Sequence, residues 1–197
     1  MGRRARAVGT LILLSLETVY AGYDRAVVGP VSLEVHAGEV VGLSGANGTG
    51  KSTILGAVTG TARVFSGRVV VASGARIAHH RQRPERPAEI PLRGRELLAI
   101  TAADPSECPP ALQDRLALPL DELSGGQYQL LLAYACLGSP ADLVLLDEPS
   151  NNLDPDSVGA MATLLHATPA TRGVVVVSHE AAFLKACCTR IIDVNPK

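Results

Sequence analysis

Gly45-Ala46-Asn47-Gly48-Thr49-Gly50-Lys51-Ser52 is the stretch on which the reading of this chain turns. It fits the phosphate-binding pattern G-x-x-x-x-G-K-[ST]. It stands between an apolar β-rich run, Val40 to Ser44, and a stretch of helical character starting at Lys51. A polyphosphate carries several negative charges, so a loop that grips one must offer many backbone N–H donors with no side chains in the way; glycine permits that approach. In this pattern Lys51 reaches the β and γ phosphates, Ser52 ligates Mg²⁺, and the following helix turns its positive end toward the anion.

Further along, Leu143-Val144-Leu145-Leu146 runs straight into Asp147-Glu148-Pro149. In parallel sheets the reactive groups collect at the carboxyl ends of strands. Asp147 is therefore the expected completion of the Mg²⁺ site, and Glu148 the group that orients or deprotonates an attacking water. A third feature, Leu123-Ser124-Gly125-Gly126-Gln127, precedes the apolar helix Leu130 to Leu137. Ser124 is a natural N-cap, and the two glycines leave backbone donors open, which makes a second anion-binding helix start.

Strands are expected at Thr10 to Leu16, Val31 to Val35, Val40 to Ser44, Gly67 to Val71, Leu143 to Leu146, Val174 to Ser178 and Ile191 to Val194. Helices are expected to start at Lys51, Gly126, Asp154 and His179. Alternation of this kind predicts an α/β fold with a largely parallel sheet, and the runs at 143–146 and 174–177 are apolar on both faces, as strands between helix layers are. Residues 84 to 119 hold seven of the thirteen prolines, and only Gly94 to Ala102 reads as a helix there. The segment 84–122 is accordingly read as a small helical and loop-rich subdomain inserted in a single domain.

Composition excludes several classes. With 197 residues, 47% hydrophobic and 19% charged, and a net charge of −1, the chain has the makeup of a globular domain rather than a disordered one. It has no unbroken apolar run long enough to span a bilayer. Arg3, Arg4 and Arg6 before Ala7 to Leu16 imitate a secretory signal, but Glu17 follows and no small-x-small cleavage site does, so a first strand is expected instead. Cys108 and Cys136 stand alone and Cys187-Cys188 are adjacent, which is neither a disulfide framework nor metal-ligand spacing. Residues 76 to 95 hold Arg76, Arg81, Arg83, Arg86, Arg93 and Arg95 against Glu85 and Glu89, without the aromatics that stack on bases. Nucleic acid is not expected there; a solvated surface or a docking face for a partner or anionic headgroups is.

The Leu123 to Gln127 stretch is identical to LSGGQ, the signature of ABC (ATP-binding cassette) transporters, and the whole chain resembles their nucleotide-binding subunit. That resemblance implies a P-loop NTPase fold of RecA type, with an N-terminal antiparallel β part and a short helical insertion. It implies ATP and Mg²⁺ as cofactors and an ATP hydrolase coupled to transport. By the same resemblance, Tyr23 stacks on adenine, Tyr20 being the lesser candidate, and Thr53 flanks the phosphate loop. Gln82 joins the Mg²⁺ and water network, Ser150 to Asp154 form the D-loop, and His179 contacts the γ phosphate. The catalytic set is thus Lys51, Gln82, Glu148 and His179.

The remaining ATP contacts implied are Gly45, Asn47, Gly48, Gly50, Ser52, Asp154 and, from a facing second chain, Ser124, Gly125, Gly126 and Gln127. Implied partners are a separate transmembrane permease and a second nucleotide-binding chain, identical or different, closing head to tail around two ATP. The implied location is the inner face of the cell membrane. Residues 75 to 98, with Pro84-Glu85 and Ile90-Pro91-Leu92, are similar to zinc or manganese importer subunits. A soluble cluster-assembly ATPase and an exporter subunit are the alternatives. The chain departs from the family at Arg81, where proline is usual, at His79-His80, where an aromatic is expected, and at Tyr128, Leu130 and Tyr134, where many members carry arginine.

Overall fold

The structure is a computed structural model that describes residues 11–82, 92–151 and 153–194. Arg3, Arg4, Arg6, Arg83, Pro84-Glu85, Arg86, Glu89, Ile90-Pro91 and Asn152, all singled out above, lie outside the described residues. Two sheets are formed. An antiparallel sheet of order β2-β1-β4 comprises β1 (Ile12–Gly22), β2 (Ala26–His36) and β4 (Arg63–Val71). A five-stranded sheet of order β5-β6-β7-β3-β8 comprises β3 (Val40–Ser44), β5 (Ile77–His80), β6 (Leu143–Asp147), β7 (Gly173–Val177) and β8 (Arg190–Asp193). Every pairing in the second sheet is parallel.

The helices are α1 (Lys51–Thr59), α2 (Gly94–Thr101), α3 (Pro110–Gln113), α4 (Gly125–Leu137), α5 (Pro155–His166) and α6 (Ala181–Cys187). The parallel sheet separates two apolar cores, and its central strands supply alternate residues to each. Leu143, Leu145, Val175 and Val177 pack toward α1 and the antiparallel sheet. Val144, Leu146, Val174 and Val176 pack toward α4, α5 and α6. The described part of the insertion is not a separate ball: Leu98, Leu112, Leu116 and Leu120 share the second core with Leu130, Leu131 and Tyr134 of α4. Among the described residues no helix is long and apolar enough to cross a membrane.

Several boundaries move from the sequence expectation. β1 runs on to Gly22 and β4 starts at Arg63, because β1 is paired along both edges and its neighbours extend with it. The helix expected to begin at His179 begins at Ala181, since Ser178 Oγ accepts the Glu180 N–H at 3.0 Å and holds the chain in a turn first. β5 was not expected at all. It pairs with β6 alone, as an edge strand, and half of its four residues are histidine.

Candidate functional site

The carboxyl ends of β3, β5, β6 and β7 converge. β3 delivers the glycine loop, in which Gly45, Gly48 and Gly50 all take positive φ, at 155°, 83° and 88°. Gly50 is the N-cap of α1, and a Cβ there would lie 2.5 Å from the Val28 Cβ, so only glycine lets the loop close onto β2. Lys51 is buried, and its Nζ donates to the carbonyls of Gly45 at 2.7 Å and Ala46 at 2.9 Å. The ammonium is thereby folded back along the rim of the loop.

β6 ends on the acid pair. Asp147 has the same parity as Leu143 and Leu145, so its side chain emerges on the α1 side of the sheet. There the Ser52 hydroxyl donates to Asp147 Oδ1 at 3.0 Å. Burial raises the Asp147 pKa and the Glu148 carboxylate adds to the rise, while the Ser52 hydrogen bond and Lys51 oppose it. Glu148 is buried and holds φ at +49°, a left-handed conformation that costs a non-glycine residue about 1–3 kcal/mol. Three hydrogen bonds hold it there: its N–H donates to Val177 O at 2.9 Å, and its carbonyl accepts from the Asn151 N–H at 3.2 Å and from Gln129 Nε2 at 3.3 Å.

His179 follows β7. Its Nδ1 lies 2.9 Å from Glu148 Oε2, and its backbone N–H points at the same oxygen at 3.4 Å. With Nδ1 engaged by the carboxyl, Nε2 is the ring nitrogen left for another partner. The geometry thus sets Glu148, expected from the sequence to activate water, beside His179, expected to contact the terminal phosphate.

Two hollows flank the loop. One, of about 400 Å³, is lined by Ser44, Gly45, Ala46, Asn47, His179 and Asp193. The other, of about 390 Å³, brings together Tyr23, Ser52, Gly56, Thr61, His79, Arg81, Gln82 and Asp147. Ser52, Gln82 and Asp147 present hydroxyl, amide and carboxylate oxygens, a hard donor set that suits Mg²⁺. Tyr23 stands exposed at its edge, whereas Tyr20 lies in β1 and lines neither hollow. Thr53 is buried on α1 and also lines neither.

The signature residues sit elsewhere. Ser124 Oγ accepts the Gln127 N–H at 3.2 Å, and Gln127 Oε1 accepts the Ser124 N–H at 3.1 Å, a capping box that fixes the start of α4. None of Ser124, Gly125, Gly126 and Gln127 lines either hollow. Asp154 caps α5, accepting from the Ser157 N–H at 2.8 Å and hydroxyl at 3.0 Å, and those bonds hold its carboxyl below the usual range.

Sequence reasoning passed over Gln129 and marked His79-His80 and Arg81 only as departures from the family pattern, without their placement. Gln129 was marked only by being polar within a helix that is otherwise apolar from Leu130 onward. His80 is 3% exposed, and burial, with the nearby His79, pushes its pKa down to about 4. Neither of its ring nitrogens meets hydrogen-bond geometry, although the Gln129 side chain and the Asp147 backbone lie beside it. Among the described arginines of that stretch, Arg76 approaches Asp142 at 3.6 Å, Arg93 donates to Ala117 O at 2.6 Å, and Arg81 lines the second hollow.

A family model described as ABC transporter matches residues 28–101. The chain is 36% identical over 196 residues to the zinc import ATP-binding protein ZnuC of Cereibacter sphaeroides, covering 94% of this chain and 79% of that protein. It is 31% identical over 194 residues to the protein of the same name from Marinobacter nauticus, covering 93% and 74%. A solved ATP-binding subunit of an ABC transporter superposes with a TM-score of 0.76 at 24% identity, covering 93% of this chain and 86% of that one, a likeness of fold.

Proposed function

This chain belongs to the ATP-binding subunits of ABC transporters, and on that premise we propose that it drives zinc import through a separate membrane permease. As a member of that family it binds ATP and hydrolyses it to power transport. The observation that carries the catalytic part is the meeting of Lys51, Ser52, Asp147, Glu148 and His179 from three separate strand ends. The choice of zinc rests on the relatives, which are named for zinc import.

In the proposed reaction the amides of Gly45 to Ser52, with Asn47, Gly48 and Gly50 at the turns, cradle the phosphates, and Lys51 exchanges its loop carbonyls for β and γ oxygens. Tyr23 carries the adenine. Ser52, Asp147 and Gln82 hold Mg²⁺, which offsets the charge of the phosphates. Glu148 accepts a proton from the attacking water through Oε1, because Oε2 is engaged with His179. His179 Nε2 then stabilises the departing γ-phosphoryl group. Two chains close head to tail, so that Ser124 to Gln127 of one complete the site of the other. This arrangement accounts for a signature motif that stands apart from the phosphate loop of its own chain. The segment 84–122 is taken as a small subdomain, and the chain as peripheral on the inner face of the membrane.

The test is reconstitution of the chain with the permease that co-purifies with it, followed by ATP-driven zinc uptake into vesicles. Uptake is expected with the wild type and should vanish for Lys51→Ala and Glu148→Gln. ATP hydrolysis that is normal but moves no zinc would reject the substrate assignment.

A further inference from the structure

We propose that Cys187 and Cys188 form a two-thiolate seat for a soft, thiolate-seeking cation. Adjacent side chains normally diverge, by about 100° in a helix and about 180° in a strand. Here the backbone changes conformation between them: Cys187 is the last residue of α6, and Cys188, its C-cap, is extended at φ −99° and ψ 141°. The two sulfurs come to 3.8 Å. A tetrahedral ion with metal–sulfur bonds of about 2.3 Å holds two thiolates about 3.8 Å apart, so the pair already has the required bite.

Both cysteines are free thiols. They are poorly placed to close on each other, since Cα atoms of adjacent residues lie about 3.8 Å apart and a relaxed disulfide needs about 4.4 Å or more. The Cys188 thiol hydrogen-bonds to Cys187 and draws the Cys187 pKa down, while its own is pushed up. Both thiols lose their protons when an ion is held. Cys187 also donates to Phe183 O at 3.0 Å, a bond given up on loading.

Cys188 is half-buried and Cys187 is 3% exposed; β8, just beyond, is an edge strand. Among the described residues no group of three His, Cys, Asp or Glu side chains could hold a metal ion. The seat thus supplies two ligands, and the rest of the ion's coordination comes from outside the chain. It also adjoins the strand that feeds the phosphate loop. A Cβ on Gly42 of β3 would lie 3.0 Å from Cys188 Sγ, and the neighbouring Thr189 N–H and hydroxyl both donate to Val40 O, at 2.8 Å and 2.9 Å.

Phenylarsine oxide is the probe. Its arsenic forms one bond to each sulfur, its oxygen leaves as water with the two thiol protons, and no electron changes hands. The reduced full chain should take one equivalent, lose two titratable thiols, resist excess glutathione and be released by 2,3-dimercaptopropanol. Cys188→Ser should weaken binding by about 100-fold, the effective-concentration advantage of a second tethered thiol. A Cys108→Ala/Cys136→Ala variant, which leaves only the pair, should bind as the wild type does and keeps the test valid if Cys188→Ser misfolds. Retention in a folded Cys188→Ser chain, loss in the variant that leaves only the pair, or displacement by glutathione would overturn the proposal.

Discussion

Asp147 and His80 lie on neighbouring strands and respond to burial in opposite directions. The Asp147 pKa is raised above that of the unfolded chain. Between those two values the folded state holds the extra proton, so stability falls as pH rises through the window, and at neutral pH the ionised acid is a standing cost. Asp147→Asn, which still accepts from Ser52, should raise the melting temperature at pH 7. The gain should disappear in acid, where the wild type is protonated, while ATP hydrolysis falls at least about 100-fold through loss of the proposed Mg²⁺ ligand. His80 has the reverse sign: its folded pKa is lowered from 6.5 to about 4. The stability it contributes is present above 6.5 and is lost as pH falls toward 4, by up to about 3 kcal/mol for one group. Urea unfolding from pH 7.5 to 4.5 should show that loss in the wild type and a flatter profile in His80→Val. The acid pair was legible in the sequence because it ends an apolar strand. The burial of His80 was not, since it is set by the strand and helix that pack over it and leaves no local pattern.

Turns and strand ends were less legible than strand centres, and the glycine loop shows why. Its pattern predicts phosphate binding but does not reveal that Gly50 abuts β2 while Gly48 faces open space, for that depends on a packing partner distant in sequence. The two residues have nearly the same φ, 88° and 83°, yet a Cβ would meet Val28 at 2.5 Å in one case and nothing within 4 Å in the other. Gly48→Ala should therefore cost only backbone strain, about 1 kcal/mol. Gly50→Ala adds an overlap and should cost about 3 kcal/mol, read by urea denaturation, with weakened ATP binding because the loop is pushed off β2. The strand at 77–80 escaped notice for a related reason: Ile77-Ala78-His79-His80 has neither the alternation of a half-buried strand nor the apolar run of a central one. It is a strand because β6 offers it an edge.

At the level of the whole molecule, the signature capping box and the phosphate loop do not share a hollow, and the proposed head-to-tail pair would bring them together. Glu148→Gln should hydrolyse ATP about 10²- to 10⁴-fold more slowly and accumulate as an ATP-dependent dimer in sedimentation. A protein that stays monomeric at saturating Mg-ATP would contradict the head-to-tail arrangement. The α/β class and the two motif-bearing strand ends could be read from the chain; the sheet order could not, because it is set by which apolar faces meet. That order has a consequence for synthesis. β3, which carries the phosphate loop, is hydrogen-bonded to β7 and β8 and to no strand made before residue 173. On the ribosome, the glycine loop is thus translated early and anchored late: a nascent chain exposes its nucleotide-binding motif well over a hundred residues before the flanking strands exist to hold it in shape.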